Sequence, residues 1–158
     1  MRIYIYFVLL RFEMDYIPQI SESSGRRQIF CDWRRKYVRL TAEEWVRQQM
    51  LHLLVEQMHY PKNLIAVEHS IRVGDVQKRC DAVVFDEHLQ ARCIIEFKRE
   101  EVSITSRVAD QVAVYNRRLR VEWFILSNGR ETLVCHLLKD GYELMDKIPT
   151  YEQLCQKN

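Results

Sequence analysis

Glycine and proline are scarce in this sequence, four and three among 158 residues. That excludes collagen-like repeats and a linker-like chain. Neither sign of charge dominates. Against 24 Lys and Arg stand 22 Asp and Glu, a formal +2, and the total by itself announces neither a nucleic-acid binder nor a solvating acidic chain. No two of the five cysteines form a C-x-x-C pair. A zinc ribbon or a thioredoxin-like site is therefore not expected, and the odd count speaks against a disulfide framework. Cys31, Cys80, Cys93, Cys135 and Cys155 read as small apolar residues of a cytoplasmic, reduced protein. No G-x-x-x-x-G-K-[ST] phosphate loop is found, so these residues predict no ATP-driven motor. Long apolar runs are missing too. The run from Ile3 to Leu10 is closed by Arg11, far short of the roughly 20 residues that span a bilayer. No small-residue cleavage site follows it, so neither a signal peptide nor a membrane partner is expected. It reads as an added edge strand, or as sequence upstream of a start at Met14.

What is present is an apolar share of 47%, enough for one packed domain. Residues 1–40 read as an N-terminal extension and residues 41–158 as the domain. The extension holds a basic segment, residues 25–40. Arg26, Arg27, Arg34, Arg35, Lys36 and Arg39 face one acid, Asp32, for a local charge of +5, which leaves −3 for the remainder. Phe30, Trp33 and Tyr37 are interleaved. Cations with aromatics can hold a phosphate backbone and stack on unpaired bases. The same pattern fits a solvated loop whose aromatics pack on the domain.

The domain predicts a mixed α/β order. A helix starts at Thr41, with Glu44 completing a T-x-x-E capping box, and runs to about Tyr60, where Pro61 ends it. Val46, Met50, Leu53, Leu54 and Met58 recur at helical spacing and should face the core. Strands follow over 64–73, 79–85 and 91–98, then a helix over 104–119 and strands over 122–126 and 132–138. The tail predicts a short strand and a final helical turn. A central mixed sheet flanked by helices is the fold class this order implies.

Three charges interrupt strands that are otherwise apolar: Asp81 in Cys80-Asp81-Ala82-Val83-Val84, and Glu96 and Lys98 in Ile94-Ile95-Glu96-Phe97-Lys98. Alternation puts Glu96 and Lys98 on one face, and a short turn between the strands brings Asp81 close to them. Buried charges cost several kcal/mol unless paired or bound to metal. Two converging carboxylates suit a hard cation such as magnesium, with manganese as a substitute. A lysine beside them can orient an attacking water and stabilise charge on a phosphate. That chemistry is metal-assisted phosphodiester hydrolysis. The other reading is a salt bridge from Lys98 to Glu96 or Asp81. Glu44 likewise has two readings, helix cap or site acid, and Arg47 either pairs with Glu43 or Glu44 or touches phosphate.

From about Ile29 to Leu154 the sequence resembles the N-terminal nuclease domain of type I restriction enzyme R subunits, in a short stand-alone bacterial form. The phrases that carry the resemblance are Thr41-Ala42-Glu43-Glu44-Trp45-Val46-Arg47-Gln48, Tyr60-Pro61 with Ile65-Ala66-Val67-Glu68, Arg79-Cys80-Asp81, Ile95-Glu96-Phe97-Lys98, Asp110-Gln111 with Tyr115, and Ser127-Asn128-Gly129. The resemblance implies a restriction-endonuclease-like, PD-(D/E)xK core and a magnesium-dependent DNA endonuclease. It makes Asp81 and Glu96 metal ligands, with the backbone carbonyl of Phe97 as a further one. Lys98 would position the water, Gln111 would stand beside the active site, and Glu44 would be the acid from the first helix. Arg26, Arg27, Arg34, Arg35, Lys36, Arg39 and Arg47 are the candidate DNA contacts. Partners implied are DNA and a second copy or other restriction or repair subunits. The alternative is a module of the same fold that binds nucleic acid or assembles without turnover.

Overall fold

The computed structural model describes residues 16–156. The apolar run 3–10 and Met14 lie outside the described residues.

The basic segment is not a loop. It belongs to a small antiparallel sheet of β1 (Ile20–Ser23), β2 (Arg26–Cys31) and β3 (Lys36–Arg39), in that order. Ser24 and Gly25 join β1 to β2 with φ of +52° and +70°, the left-handed pair that matches the twist of a two-residue hairpin. Ile29 and Cys31 are fully buried on the inner face, and Trp33, in the turn after β2, packs on the main core. The register sets Phe30 against Tyr37 and Gln28 against Arg39, so these and Arg26 share the opposite face.

The first helix, α1, spans Ala42–Glu56, and Thr41 Oγ1 accepts the Glu44 N–H at 3.0 Å as the cap requires. It stops short of the expected Tyr60. His59 turns left-handed at φ +58°, and the Tyr60 N–H closes back to the Leu54 carbonyl at 2.8 Å, so a left-handed residue ends the helix and satisfies one of its last carbonyls. Burial of Tyr60 drives this, with its hydroxyl donating to the Pro149 carbonyl at 2.6 Å. Val46, Met50, Leu53 and Leu54 are buried as their spacing predicts, and Met58 packs against them.

The main sheet has six strands, β4 (Ile65–Val73), β5 (Val76–Phe85), β6 (Ala91–Phe97), β7 (Trp123–Ser127), β8 (Thr132–Leu138) and β9 (Gly141–Met145), ordered in space as in sequence. All neighbours are antiparallel except β6 and β7. A parallel neighbour needs a crossover, and α2 (Ser106–Leu119) supplies it. The short α3 (Tyr151–Cys155) follows β9, its capping box formed by Thr150 and Gln153. On one face, α1 and Leu154 of α3 cover Ala82, Val84, Ile95, Phe97 and Ile125. On the other, Leu119 of α2 lies with Val83, Ile94, Phe124 and Leu126. This is the mixed, helix-flanked sheet the element order predicts. Each such fully buried aliphatic side chain contributes about 1.5–3 kcal/mol, so truncating Leu54, at 0% exposure, would cost about 2–5 kcal/mol.

All five cysteines are free, four of them buried. No helix among the described residues is long and apolar enough to cross a membrane.

Candidate active site

Strand alternation slips at one place. In β5, Ala82 and Val84 enter the α1-side core and Val83 the α2-side core. Cys80, which regular alternation would send with Ala82, lies on the α2 side. The neighbouring β4 does the same. Val67 packs on the α1 side, whereas Ile71 and Val73 lie on the α2 side. Between the paired residues Val67↔Ala82 and His69↔Cys80 stand Glu68 and Asp81, with Glu68 left-handed at φ +52°. Such distortions re-aim side chains and collect beside functional sites. Here the slip lets Asp81 reach both α1 and β6.

The β5–β6 register pairs Ala82 with Ile95, which puts Asp81 across from Glu96 one step on. Asp81 Oδ2 accepts the Phe97 N–H at 2.8 Å, and Oδ1 accepts from Arg47 Nη2 at 3.1 Å. Glu96 accepts from Lys78 Nζ at 2.5 Å. The Glu96 carboxyl is pushed above its ordinary range, first by burial and also by the neighbouring Asp81 charge, while Lys78 pulls it back. A half-buried acid raised beside a second carboxylate is a setting in which a divalent cation is favoured. Among the described residues no three His, Cys, Asp or Glu side chains gather as a metal cluster. Two carboxylates nevertheless fit magnesium, which commonly takes one or two and keeps several waters.

On the α1 side, Glu44 is buried and shares Arg47 with Asp81 rather than closing a reciprocal capping box. It accepts from Arg47 Nη1 at 3.0 Å, from Gln48 Nε2 at 2.8 Å and from Arg34 Nη2. Glu68 draws in Arg34 at 3.4 Å, Arg79 at 3.5 Å and Arg47 at 3.7 Å. Arg47 is thus the hub of three acids, with its guanidinium 6.0 Å from the Phe97 ring centroid. Arg47 Nε and Gln48 Oε1 are buried without a hydrogen-bond partner among the described residues. Such orphans are uncommon in an interior and mark a place for water or a ligand.

On the α2 side, Lys98 is exposed and makes no ion pair among the described residues. Its N–H donates to the Ser127 carbonyl at 2.9 Å, and the Asn128 side chain holds the Val102 carbonyl at 2.9 Å. The Ser127-Asn128-Gly129 turn therefore steadies the chain after Lys98. Lys78, Glu96 and Lys98 share the mouth of a cavity of about 220 Å³ with Val108 and Val112 of α2. Gln111 is exposed on that helix, and Tyr115, one turn on, has its ring centroid 5.4 Å from Lys78 Nζ.

The ion pair that sequence reasoning assigns to Lys98 is made by Lys78 instead. Lys78 lies three residues before Asp81, and a regular strand would place the two on opposite faces; the slip defeats that rule. Glu68 gives a weak signal, an acid across from Asp81. Of the seven cations expected at DNA, Arg34 and Arg47 turn inward to carboxylates, whereas Arg26, Arg27, Arg35, Lys36 and Arg39 stay largely open to solvent. The inward pair answers acids that lie far away in sequence, which the local basic run does not reveal.

No curated protein and no solved structure matches this chain. One family does, described as the type I restriction enzyme R protein N terminus, over residues 42–149. That span takes in α1, Asp81, Glu96, Lys98 and α2 and covers about two thirds of the sequence, and the chain belongs to this family.

Proposed function

We propose that the protein is a magnesium-dependent DNA endonuclease of PD-(D/E)xK type that acts in the cytoplasm. The observation that carries this reading is the approach of Asp81 and Glu96 on paired strands, where burial and the Asp81 charge raise the Glu96 carboxyl, within the family-matched span. Asp81 and Glu96 would hold the metal, with the Phe97 carbonyl as the neighbouring backbone ligand. When bound, magnesium polarises the phosphate and lowers the pKa of water. Lys98, exposed and without an ion pair among the described residues, orients the attacking water and meets the charge that builds on the phosphate. Gln111 and Tyr115 stand on α2, with Tyr115 beside Lys78. Glu44 sets the far wall, and the Phe97 N–H fixes the Asp81 carboxylate in one orientation.

DNA is held beyond the site by the outer cations. Arg26 and Arg39 share a face with Phe30 and Tyr37, and Tyr37 is exposed. Cations beside an exposed aromatic suit a phosphate backbone with unstacked bases. A second copy or another restriction or repair subunit completes the list of partners.

The deciding experiment is cleavage by purified full-length protein with Asp81→Ala as comparison. Loss of magnesium-dependent cleavage with an unchanged circular dichroism spectrum is expected. Cleavage that persists in Asp81→Ala would overturn the assignment.

A second reading is favoured by Arg47 and Lys78, which already neutralise Asp81 and Glu96. It makes the protein a non-catalytic module that binds nucleic acid or assembles with other subunits. That reading expects salt-sensitive DNA binding and no cleavage with magnesium or manganese.

A further inference from the structure

We propose that Arg34 is a positioning residue of the site, so that the N-terminal sheet is one of the site's working parts. This rests on reading Asp81 and Glu96 as metal ligands with Glu44 beside them. Arg34 sits in the turn between β2 and β3. The Arg35 N–H closes onto the Cys31 carbonyl at 2.7 Å, and Arg35 adopts φ +51°. This turn aims the Arg34 side chain inward, where it is 15% exposed. Every nitrogen of its guanidinium is then engaged. Nε donates to the sulfur of fully buried Cys31 at 3.1 Å, Nη2 donates to Glu44 Oε1, and Nη1 lies 3.4 Å from Glu68 Oε2.

Glu44 belongs to α1 and Glu68 to β4. Arg34 therefore ties the first helix to the edge strand at the place where Asp81 is re-aimed. A planar guanidinium can hold two acids at fixed angles, whereas a lysine's single ammonium on a flexible stem cannot reproduce that fork. Glu44 receives donors from Arg34, Arg47 and Gln48, which leaves its carboxylate little rotational freedom. Two of those donors lie on α1 itself. Only Arg34 comes from the sheet at 20–39, outside the family-matched residues 42–149. The extension supplies what the matched span lacks, an outside anchor for the site acid.

The test uses the full-length protein and manganese as probe, with free metal followed by electron paramagnetic resonance. Wild type is compared with Arg34→Gln, Arg34→Lys, Glu44→Gln and the Arg34→Gln/Glu44→Gln double variant. Loss of an outer partner of a metal site weakens binding about ten-fold, and that is the expected effect in both Arg34 variants. In the Glu44→Gln background, Arg34→Gln should add nothing, because residues acting through one another are non-additive. Arg34→Lys keeps the charge and provides a folded comparison, checked by circular dichroism. Wild-type affinity in Arg34→Lys, or full additivity in the double variant, would overturn the proposal. Asp81→Ala separates the two levels. If Asp81→Ala binds manganese as well as wild type, the metal reading fails and this inference with it. If Asp81→Ala loses manganese while Arg34→Gln keeps wild-type affinity, only this inference fails.

Discussion

The Asp81–Glu96 pair is flanked by two unlike environments. On the α1 side, Glu44 and Arg47 are 6% and 5% exposed and interlock with Asp81, Glu68 and Arg34. On the α2 side, Lys98, Gln111 and Tyr115 are exposed, Lys98 lines a small cavity with Lys78 and Glu96, and Lys78 pairs with Glu96. Buried charges tolerate no missing partner, because the one left behind has neither water nor counter-charge. Exposed charges are screened and interchangeable in energy. The α1 side is thus built to hold acids still, and the α2 side to stay open to what enters.

The contrast is broken most severely at Arg47. Arg47→Met leaves Glu44 and Asp81 without their shared cation, and a loss of about 3–5 kcal/mol in urea unfolding is expected. A loss below about 1 kcal/mol would mean that the α1 side is as screened as the α2 side. Next in size is the cap that starts the same helix. Thr41→Ala removes the acceptor for the Glu44 N–H and should lower unfolding free energy by about 1 kcal/mol.

Acidity sharpens the comparison from the sheet's centre. Burial and then Asp81 raise the Glu96 carboxyl, against the pull of Lys78. Its folded-state pKa lies above that of the unfolded chain, so the native state binds this proton more tightly. Ionised Glu96 therefore lowers stability at neutral pH, and the loss is recovered as pH falls through the raised pKa toward the ordinary carboxylate range. Glu96→Gln should melt higher than wild type at neutral pH, with a shallower dependence of melting temperature on pH across that window. An identical pair of profiles would contradict the raised value. The smallest effect on folding belongs to Lys98. Lys98→Met should stay within about 0.5 kcal/mol of wild type in stability, while losing magnesium-dependent cleavage of a DNA substrate.

Much of this was legible before folding. The apolar flanks of Asp81 and Glu96 mark these acids as out of place, and period-two alternation pairs Glu96 with Lys98. Thr41 and Glu44 announce the start of α1, which begins where they indicate. The basic extension was harder to read. Its two fully buried side chains on β2, Ile29 and Cys31, alternate too briefly among arginines to declare a sheet. Lys78 stayed hidden and Glu68 gave only a weak signal, because the rule that would place them fails at the very residues concerned.

Composition and local pattern by themselves determined the mixed sheet, the capped first helix and the candidate acids, since periodicity and capping depend on neighbours within a few residues. Which cation meets which acid was decided only by the tertiary structure. Arg34 and Glu44 are ten positions apart, Arg47 and Asp81 thirty-four, Lys78 and Glu96 eighteen. Those partnerships depend on a slip in two adjacent strands and on a sheet docked against α1, and the energy that selects them is the cost of leaving a buried charge alone.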